Sequence, residues 1–223
     1  MSNKGKLIVI EGACDGIGKT TQFELLKKYL ESNNTVISHH FPTYNEYQGV
    51  PVEKYLNGEY GPVKSLSPYF VNSLYAVDRA ITWKTKLKKP YEKGNIILLD
   101  RYTTSSLIYQ SAMIDDIEER KEFIDYVIDF EYNKIGIQKP DIVIFLYASF
   151  DLVTEMRNKR KENAGIKGDI HEKDLSFMKK VYDNAMFVAN YLGWTMIKCD
   201  TENVMKRIED IHSEILKSLD IYK

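Results

Sequence analysis

The sequence predicts an α/β fold in which a five-stranded parallel sheet is covered by helices on both faces, and three observations predict it. Five short runs rich in apolar and β-branched residues, Leu7–Ile10, Thr35–Ser38, Ile96–Leu99, Ile142–Tyr147 and Thr195–Cys199, are each too short for a helix and read as strands. The first, third and fourth are apolar almost throughout rather than alternating, as strands buried on both faces of a parallel sheet are. Amphipathic stretches lie between the strands, which is the order of a layered α/β protein.

The helices follow in turn. Phe23, Leu26 and Leu30 share one face directly after the first strand. Ser67-Pro68, a capping residue followed by proline at the first helical position, opens a helix through about Lys86. Val204, Ile208, Ile211, Ile215 and Leu219 form a stripe near the end of the chain, with Thr201 as its expected N-cap. Repeats, low-complexity tracts and Gly/Ser/Pro-rich linkers are absent, so residues 1–223 are expected to form one domain.

The chain carries 31 Lys+Arg against 32 Asp+Glu, a formal net charge of −1, which argues against a long basic nucleic-acid surface. At 43% hydrophobic and 28% charged residues the composition is that of an ordered globular protein. A chain of this length buries roughly 70% of its unfolded surface and needs no staple. Cys14 and Cys199 have no CxxC partner and no histidine pair nearby, so neither a disulfide framework nor a zinc site is indicated. The run Leu7–Ile10 stops at Glu11, short of a secretory segment, and nothing approaches the ~18 apolar residues of a membrane span. A soluble, cytoplasmic protein with no nucleic-acid or membrane partner is expected.

Between the first strand and the first helix lies Glu11-Gly12-Ala13-Cys14-Asp15-Gly16-Ile17-Gly18-Lys19-Thr20-Thr21, which resembles a Walker A loop. Binding a polyphosphate there takes glycines that let backbone N–H groups curl around oxygens, a helix N-terminus aimed at the anion, and a lysine on the terminal phosphates. Gly16, Gly18 and Lys19 meet those needs, and Thr20 offers a hydroxyl to Mg²⁺. The strict spacing would put a glycine at Ala13; the nearest is Gly12. Cys14 reads as a small spacer.

Three further groups narrow the chemistry. Asp100-Arg101-Tyr102 ends the third strand, placing a carboxylate for metal-bound water and a guanidinium for a phosphate at the edge where α/β sheets gather ligands. Tyr75 and Arg79, four apart on one helix, offer an aromatic plane beside planar donors, which suits a nucleobase. Arg157, Lys159, Arg160, Lys161 and Lys167 crowd a polar stretch with Gly165 and Gly168, which reads as a basic lid over a transferring phosphoryl group. Each has a plain structural explanation when taken singly: a Gly-rich turn, a surface ion pair, a helix-face aromatic, a solvated charge run.

Together the motifs resemble the thymidylate kinase family of nucleoside monophosphate kinases along nearly the whole chain. The resemblance is carried by Glu11-Gly12 through Gln22, Phe41-Pro42, Tyr75 to Asp78-Arg79, Asp100-Arg101-Tyr102 with Ser105-Ser106 and Tyr109-Gln110, and Lys139-Pro140-Asp141. It implies a three-layer P-loop kinase fold with a lid at about 157–174 and a monophosphate-binding region at about 41–80. It also implies ATP as donor, Mg²⁺, dTMP as acceptor, the products dTDP and ADP, and a homodimer.

By that resemblance ATP meets Asp15, Gly16, Ile17, Gly18, Lys19, Thr20, Thr21 and Arg157. The acceptor meets Asp15 through its 3′-hydroxyl, Arg101 through its phosphate, Phe41, Tyr75, Arg79 and Gln110 around the base, and Ser105 as a further contact, with Tyr109 against a ribose 2′-hydroxyl. Lys19, Arg101 and the lid residue Arg160 are the expected catalytic groups, and Thr20 and Asp100 the metal-binding ones. Three positions depart from the family pattern: Tyr44 stands where many relatives carry a phosphate-binding arginine, leaving His40 or a lysine to compensate. The lid reads Asp169-Ile170-His171-Glu172 instead of Asp-Arg-x-Glu, and Ala13 shifts the loop spacing.

Two alternatives remain on the residues. A deoxynucleoside kinase needs a carboxylate base after the second strand, where Glu46 is the nearby candidate. A nucleotide-gated binding protein would hold ATP without an acceptor pocket.

Overall fold

The computed structural model describes residues 4–13, 16–164 and 175–220, with side chains described except at 158–164 and 220. Its centre is a five-stranded parallel sheet of β1 (Lys6–Gly12), β2 (Val36–His40), β3 (Ile96–Asp100), β4 (Ile142–Tyr147) and β5 (Thr195–Lys198) in the order β2-β3-β1-β4-β5. All five predicted strands form, each within two residues of its expected bounds. β1 is flanked on both sides: Val9 lies opposite Leu99 on β3 and Val143 on β4. The chain fills the β3–β2 side first and the β4–β5 side last, so the order switches at β1, and ligands of open α/β sheets gather at the carboxyl ends beside such a switch.

The continuous apolar strands are explained by cover on both faces. Ile8 and Ile10 of β1 face a layer made by α1 (Lys19–Glu31) and α9 (Ile208–Asp220), through Phe23, Leu26, Ile211 and Ile215. Leu7 and Val9 face the other layer, with Trp83 and Leu87 from the turn after α3 (Pro68–Thr82), which the short α2 (Val50–Leu56) precedes, and Tyr91 from α4 (Lys88–Glu92). Phe145 of β4 joins α5 (Thr103–Tyr109), α6 (Ile117–Ile128) and α8 (Leu175–Tyr191). Each such side chain contributes about 1.5–3 kcal/mol by leaving water.

Ser67 caps α3 as expected, its hydroxyl accepting from the Tyr69 N–H at 3.2 Å. The regular helix stops at Thr82, however, and Trp83–Leu87 continues as a wider π-helical turn. A second π-helical segment, Asp129–Ile135, follows α6, which Asp116 caps. The end of the chain departs from expectation. Asp200–Thr201 and Val204–Met205 pair as a short antiparallel hairpin turned by Glu202 and Asn203, both at positive φ, so Thr201 caps no helix. Val204 and Ile208 are exposed, and only Ile211, Ile215 and Leu219 of the stripe are buried, because local hairpin geometry absorbs the residues before α9.

Candidate active site

The loop after β1 leaves the sheet late. The Ala13 N–H donates to the Leu146 carbonyl at 2.9 Å, so pairing with β4 runs one residue beyond the strand, and Ala13 is fully buried. Gly16 and Gly18 both have positive φ, 97° and 85°, a region closed to most side chains. At Gly16 space is also short, since a Cβ there would lie 3.4 Å from the backbone nitrogen of Arg157 on α7 (Phe150–Ala164). Gly18 is the N-cap of α1, so the free N–H groups of that helix open toward the loop. Ile17 packs into the core below, while Thr20 and Thr21 are exposed. Asp15 and Cys14 lie outside the described residues, and the Arg160 side chain lies outside the described side chains.

Lys19 opens α1 and is nearly buried, its ammonium bonded to Asp100 Oδ1 at the tip of β3. Burial lowers the Lys19 pKa and the nearby Arg101 charge adds to the effect, with Asp100 and Glu11 working against both. His40 Nδ1 lies 3.0 Å from Asp100 Oδ2. Burial pushes the Asp100 carboxyl up, but the His40 hydrogen bond and the Lys19 charge outweigh it and hold the group down at about 2. Asp100 is thus an anion and His40 the donor.

Asp100 and Thr20 line one groove, which gives a hard cation two oxygen donors from the chain. Among the described residues no cluster of three or more His, Cys, Asp or Glu could cage a metal. Thr20 and Asp100 could hold Mg²⁺ at one edge, with waters and phosphate oxygens completing its shell.

Arg101, next in the chain, takes φ 65°, and its N–H donates to the Ile10 carbonyl at 3.1 Å. The guanidinium lies 5.7 Å from the Tyr109 ring centre and 3.6 Å from Glu11 Oε1. Glu11 is fully buried and gathers the Gly12 N–H at 3.1 Å, the Thr104 hydroxyl at 2.9 Å and the Ser105 hydroxyl at 2.6 Å. One carboxylate thereby ties the phosphate loop to the start of α5. In the sequence the signal for Glu11 is a charged residue ending an apolar strand.

Beside Arg101 opens a cavity of about 120 Å³. Phe41 enters it from the turn after β2, Tyr75 and Arg79 from α3, Arg101 and Ser105 from the β3–α5 junction, and Tyr109 and Gln110 from the end of α5. Every expected acceptor residue among the described ones is brought together here. Arg79 is only 1% exposed, with its Nε donating to Glu131 Oε2 at 2.7 Å and its Nη2 to Glu131 Oε1 at 2.6 Å. Burial opposes the Arg79 charge, and the Glu131 carboxylate more than offsets it, so the pKa rises.

Asp78, fully buried, accepts from the Thr43 N–H at 2.7 Å and the Thr82 hydroxyl at 3.3 Å, which pins the turn carrying Phe41 to α3. Nothing in the sequence points to Glu131, and Asp78 stands in the Tyr75 to Arg79 motif with its partner Thr43 35 residues away.

Of the departures from the family pattern, the lid run at 169–172 lies outside the described residues, and the one at Tyr44 finds its place. Tyr44 lines the cavity edge and stacks on His40 at 6.3 Å, while His40 is held on Asp100 and faces the neighbouring groove. Glu46 lies in that groove too, bonded to Lys86 and to Gln48 at 3.1 Å, and is absent from the lining of the cavity beside Arg101. The Lys86 and Gln48 hydrogen bonds lower the Glu46 pKa, which weakens it as a base. Arg157 backs onto Gly16, and its Nε is shielded from solvent without a partner among the described residues.

Comparison with known proteins agrees with this architecture. A family model described as thymidylate kinase matches residues 10–215. The thymidylate kinase of Plasmodium falciparum is 29% identical over 219 residues, covering 97% of this chain and 90% of that one. The thymidylate kinase of Mycobacterium tuberculosis strain H37Rv is 30% identical over 179 residues, covering 78% and 81%. A solved thymidylate kinase from Candida albicans superposes with a TM-score of 0.70 at 22% identity, covering 98% of this chain and 92% of that structure. With a family model that matches residues 10–215, most of its length, the chain belongs to the thymidylate kinase family.

Proposed function

We propose that this chain transfers the γ-phosphoryl group of ATP to the 5′-phosphate of dTMP, giving dTDP and ADP. One observation carries the reading: Asp100 and Arg101 are consecutive, yet the first meets Lys19 in the phosphate loop and the second lines the acceptor cavity. Donor and acceptor phosphates are thus brought to one point at the tip of β3, and an in-line transfer needs that proximity more than any covalent chemistry. Gly16, Ile17, Gly18, Thr20 and Thr21 would hold the donor phosphates through backbone N–H groups and hydroxyls. Lys19 exchanges its bond to Asp100 for the terminal phosphate, and Arg101 grips the acceptor phosphate. Mg²⁺, when bound, neutralises the β- and γ-oxygens.

Phe41 and Tyr75 supply the apolar and aromatic walls for the base, Arg79 and Gln110 its hydrogen bonds, and Ser105 and Tyr109 the edge near the sugar. Asp15 is assigned to the acceptor 3′-hydroxyl, Arg157 to the adenine side and Arg160, within a lid at about 157–174, to the transferring group. A homodimer is part of the reading: α3 exposes Phe70 and Val77 seven residues apart, next to exposed Tyr69 and Tyr126, an apolar stripe a second copy would cover. A cytoplasmic location, beside the nucleotide pools it would draw on, belongs to the same reading.

A coupled ADP-release assay with ATP and Mg²⁺ tests the reading against dTMP, dUMP, ribothymidine monophosphate, thymidine and no acceptor. Turnover driven by dTMP supports it. Turnover with thymidine alone makes the chain a nucleoside kinase, and silence with every acceptor makes it a nucleotide-binding protein.

A further inference from the structure

Arg79 has five N–H donors, and their distribution is uneven. Nε and Nη2 are spent on the wall behind the cavity: both reach Glu131, and Nη2 also donates to Ser106 Oγ at 2.8 Å and lies 3.3 Å from Asn72 Oδ1. Nη1 makes one long contact, 3.4 Å to the Tyr102 carbonyl. The donor left for a ligand is therefore the second N–H of Nη1, on a side chain that lines the cavity and sits 6.0 Å from the Tyr75 ring centre.

Glu131 does not line the cavity. It comes from the π-helical segment after α6, is fully buried, and also accepts from the Thr103 hydroxyl at 3.0 Å. Thr103 stands at the start of α5, the helix that ends in Tyr109 and Gln110. A two-point grip by a carboxylate fixes a guanidinium in its own plane, so Glu131 sets both which edge faces the ligand and how that edge is tilted.

We propose that Glu131 is a positioning residue for nucleobase selection, acting through Arg79. A guanidinium only donates. Held with Nη1 toward the ligand, it accepts a base that presents a carbonyl there and leaves an exocyclic amine facing a donor. Among pyrimidine monophosphates this favours 4-oxo bases such as thymine over the 4-amino base cytosine. The inference rests on the dTMP reading above.

The test compares wild type, Glu131→Gln, Glu131→Asp, Arg79→Lys and the Glu131→Gln/Arg79→Lys pair, measuring kcat and KM for dTMP, dCMP and ATP. For Glu131→Gln, KM for dTMP is expected to rise about tenfold, as loss of a well-placed charge-assisted hydrogen bond does, with kcat and the ATP KM changed less than about threefold. The preference for dTMP over dCMP falls in the same proportion. Glu131→Asp, which keeps the charge and withdraws it by one methylene, recovers part of the preference. In the Arg79→Lys background Glu131→Gln has no further effect on the dTMP KM.

The inference is overturned by an unchanged dTMP KM, by equal losses on dTMP, dCMP and ATP, or by effects that add fully in the double variant. Should Glu131→Gln fail to fold, the same comparisons on Glu131→Asp decide, with the same pattern at smaller size. Absence of wild-type turnover on dTMP would instead refute the dTMP reading itself.

Discussion

At the phosphate end of the cleft, Gly16, Gly18, Lys19 and Thr20 come from one short stretch of chain, and Lys19 finds a single carboxylate, Asp100, at the tip of the adjacent strand. At the base end, Arg79 is held by Glu131, Ser106 and Asn72, of which Glu131 is 52 residues away in sequence and Ser106 27. The first end leaves its groups few partners to give up, with backbone N–H groups at a helix start and a nearly buried ammonium on one carboxylate. The second has nearly every donor already paired, so it is a fixed template. A charge meant to bind a charged ligand is best left lightly committed, whereas a donor meant to read a base is best immobilised.

Four measurements break or sharpen that contrast. The largest effect is expected for Arg79→Met, which leaves Glu131 buried without its cation and costs about 3–5 kcal/mol by urea denaturation. Arg79→Met with Glu131→Leu should recover most of that loss, as an apolar replacement of a buried pair does. Lys19→Met is expected to lower kcat by about 10²–10³-fold while destabilising the fold much less, since Asp100 retains His40. If the two variants exchange these signatures, the contrast between the ends is wrong. Arg101→Gln should raise the dTMP KM by about tenfold and leave the ATP KM nearly unchanged, which places it on the acceptor side of the tip.

The smallest effect concerns pH. His39, 2.9 Å from Thr43 Oγ1 in the turn between the two ends, has its pKa lowered chiefly by burial and then by the Lys86 charge. The unfolded chain therefore takes the proton more readily than the folded one. Its contribution is present above the ordinary value of 6.5 and is lost as pH falls below it toward the lowered folded pKa. Wild-type stability should decline over that interval, and His39→Gln should flatten the decline in denaturation curves at stepped pH.

The same contrast explains what the sequence makes legible. The phosphate loop reads directly because its parts are contiguous and each has a local physical purpose, as do the strands, whose two-sided burial makes them apolar throughout. The acceptor residues Tyr75, Arg79, Arg101 and Gln110 become a group through family resemblance, and the fold brings them into one cavity. Glu131 stays hidden, and Glu11 and Asp78 stand in the motifs without a role, because a buried carboxylate looks, in sequence, like any surface carboxylate until its partners are known. Thr201 misleads for a related reason: a capping residue before an apolar stripe fits a helix start and a hairpin equally well, and Glu202-Asn203 at positive φ decides for the hairpin.

Glu131 is carried on a widened helical turn, Asp129–Ile135, that directly continues α6. Such a turn accommodates an extra residue without breaking the helix. Deleting one residue from α6 would turn everything beyond it by about 100° about the axis and carry the carboxylate away from Arg79, with no change of residue type. Selection acting on the base would then be felt as intolerance of single-residue insertions and deletions in a helix that touches no substrate. Chain length between Asp116 and Gly136, as much as the identity of any side chain, would be under constraint.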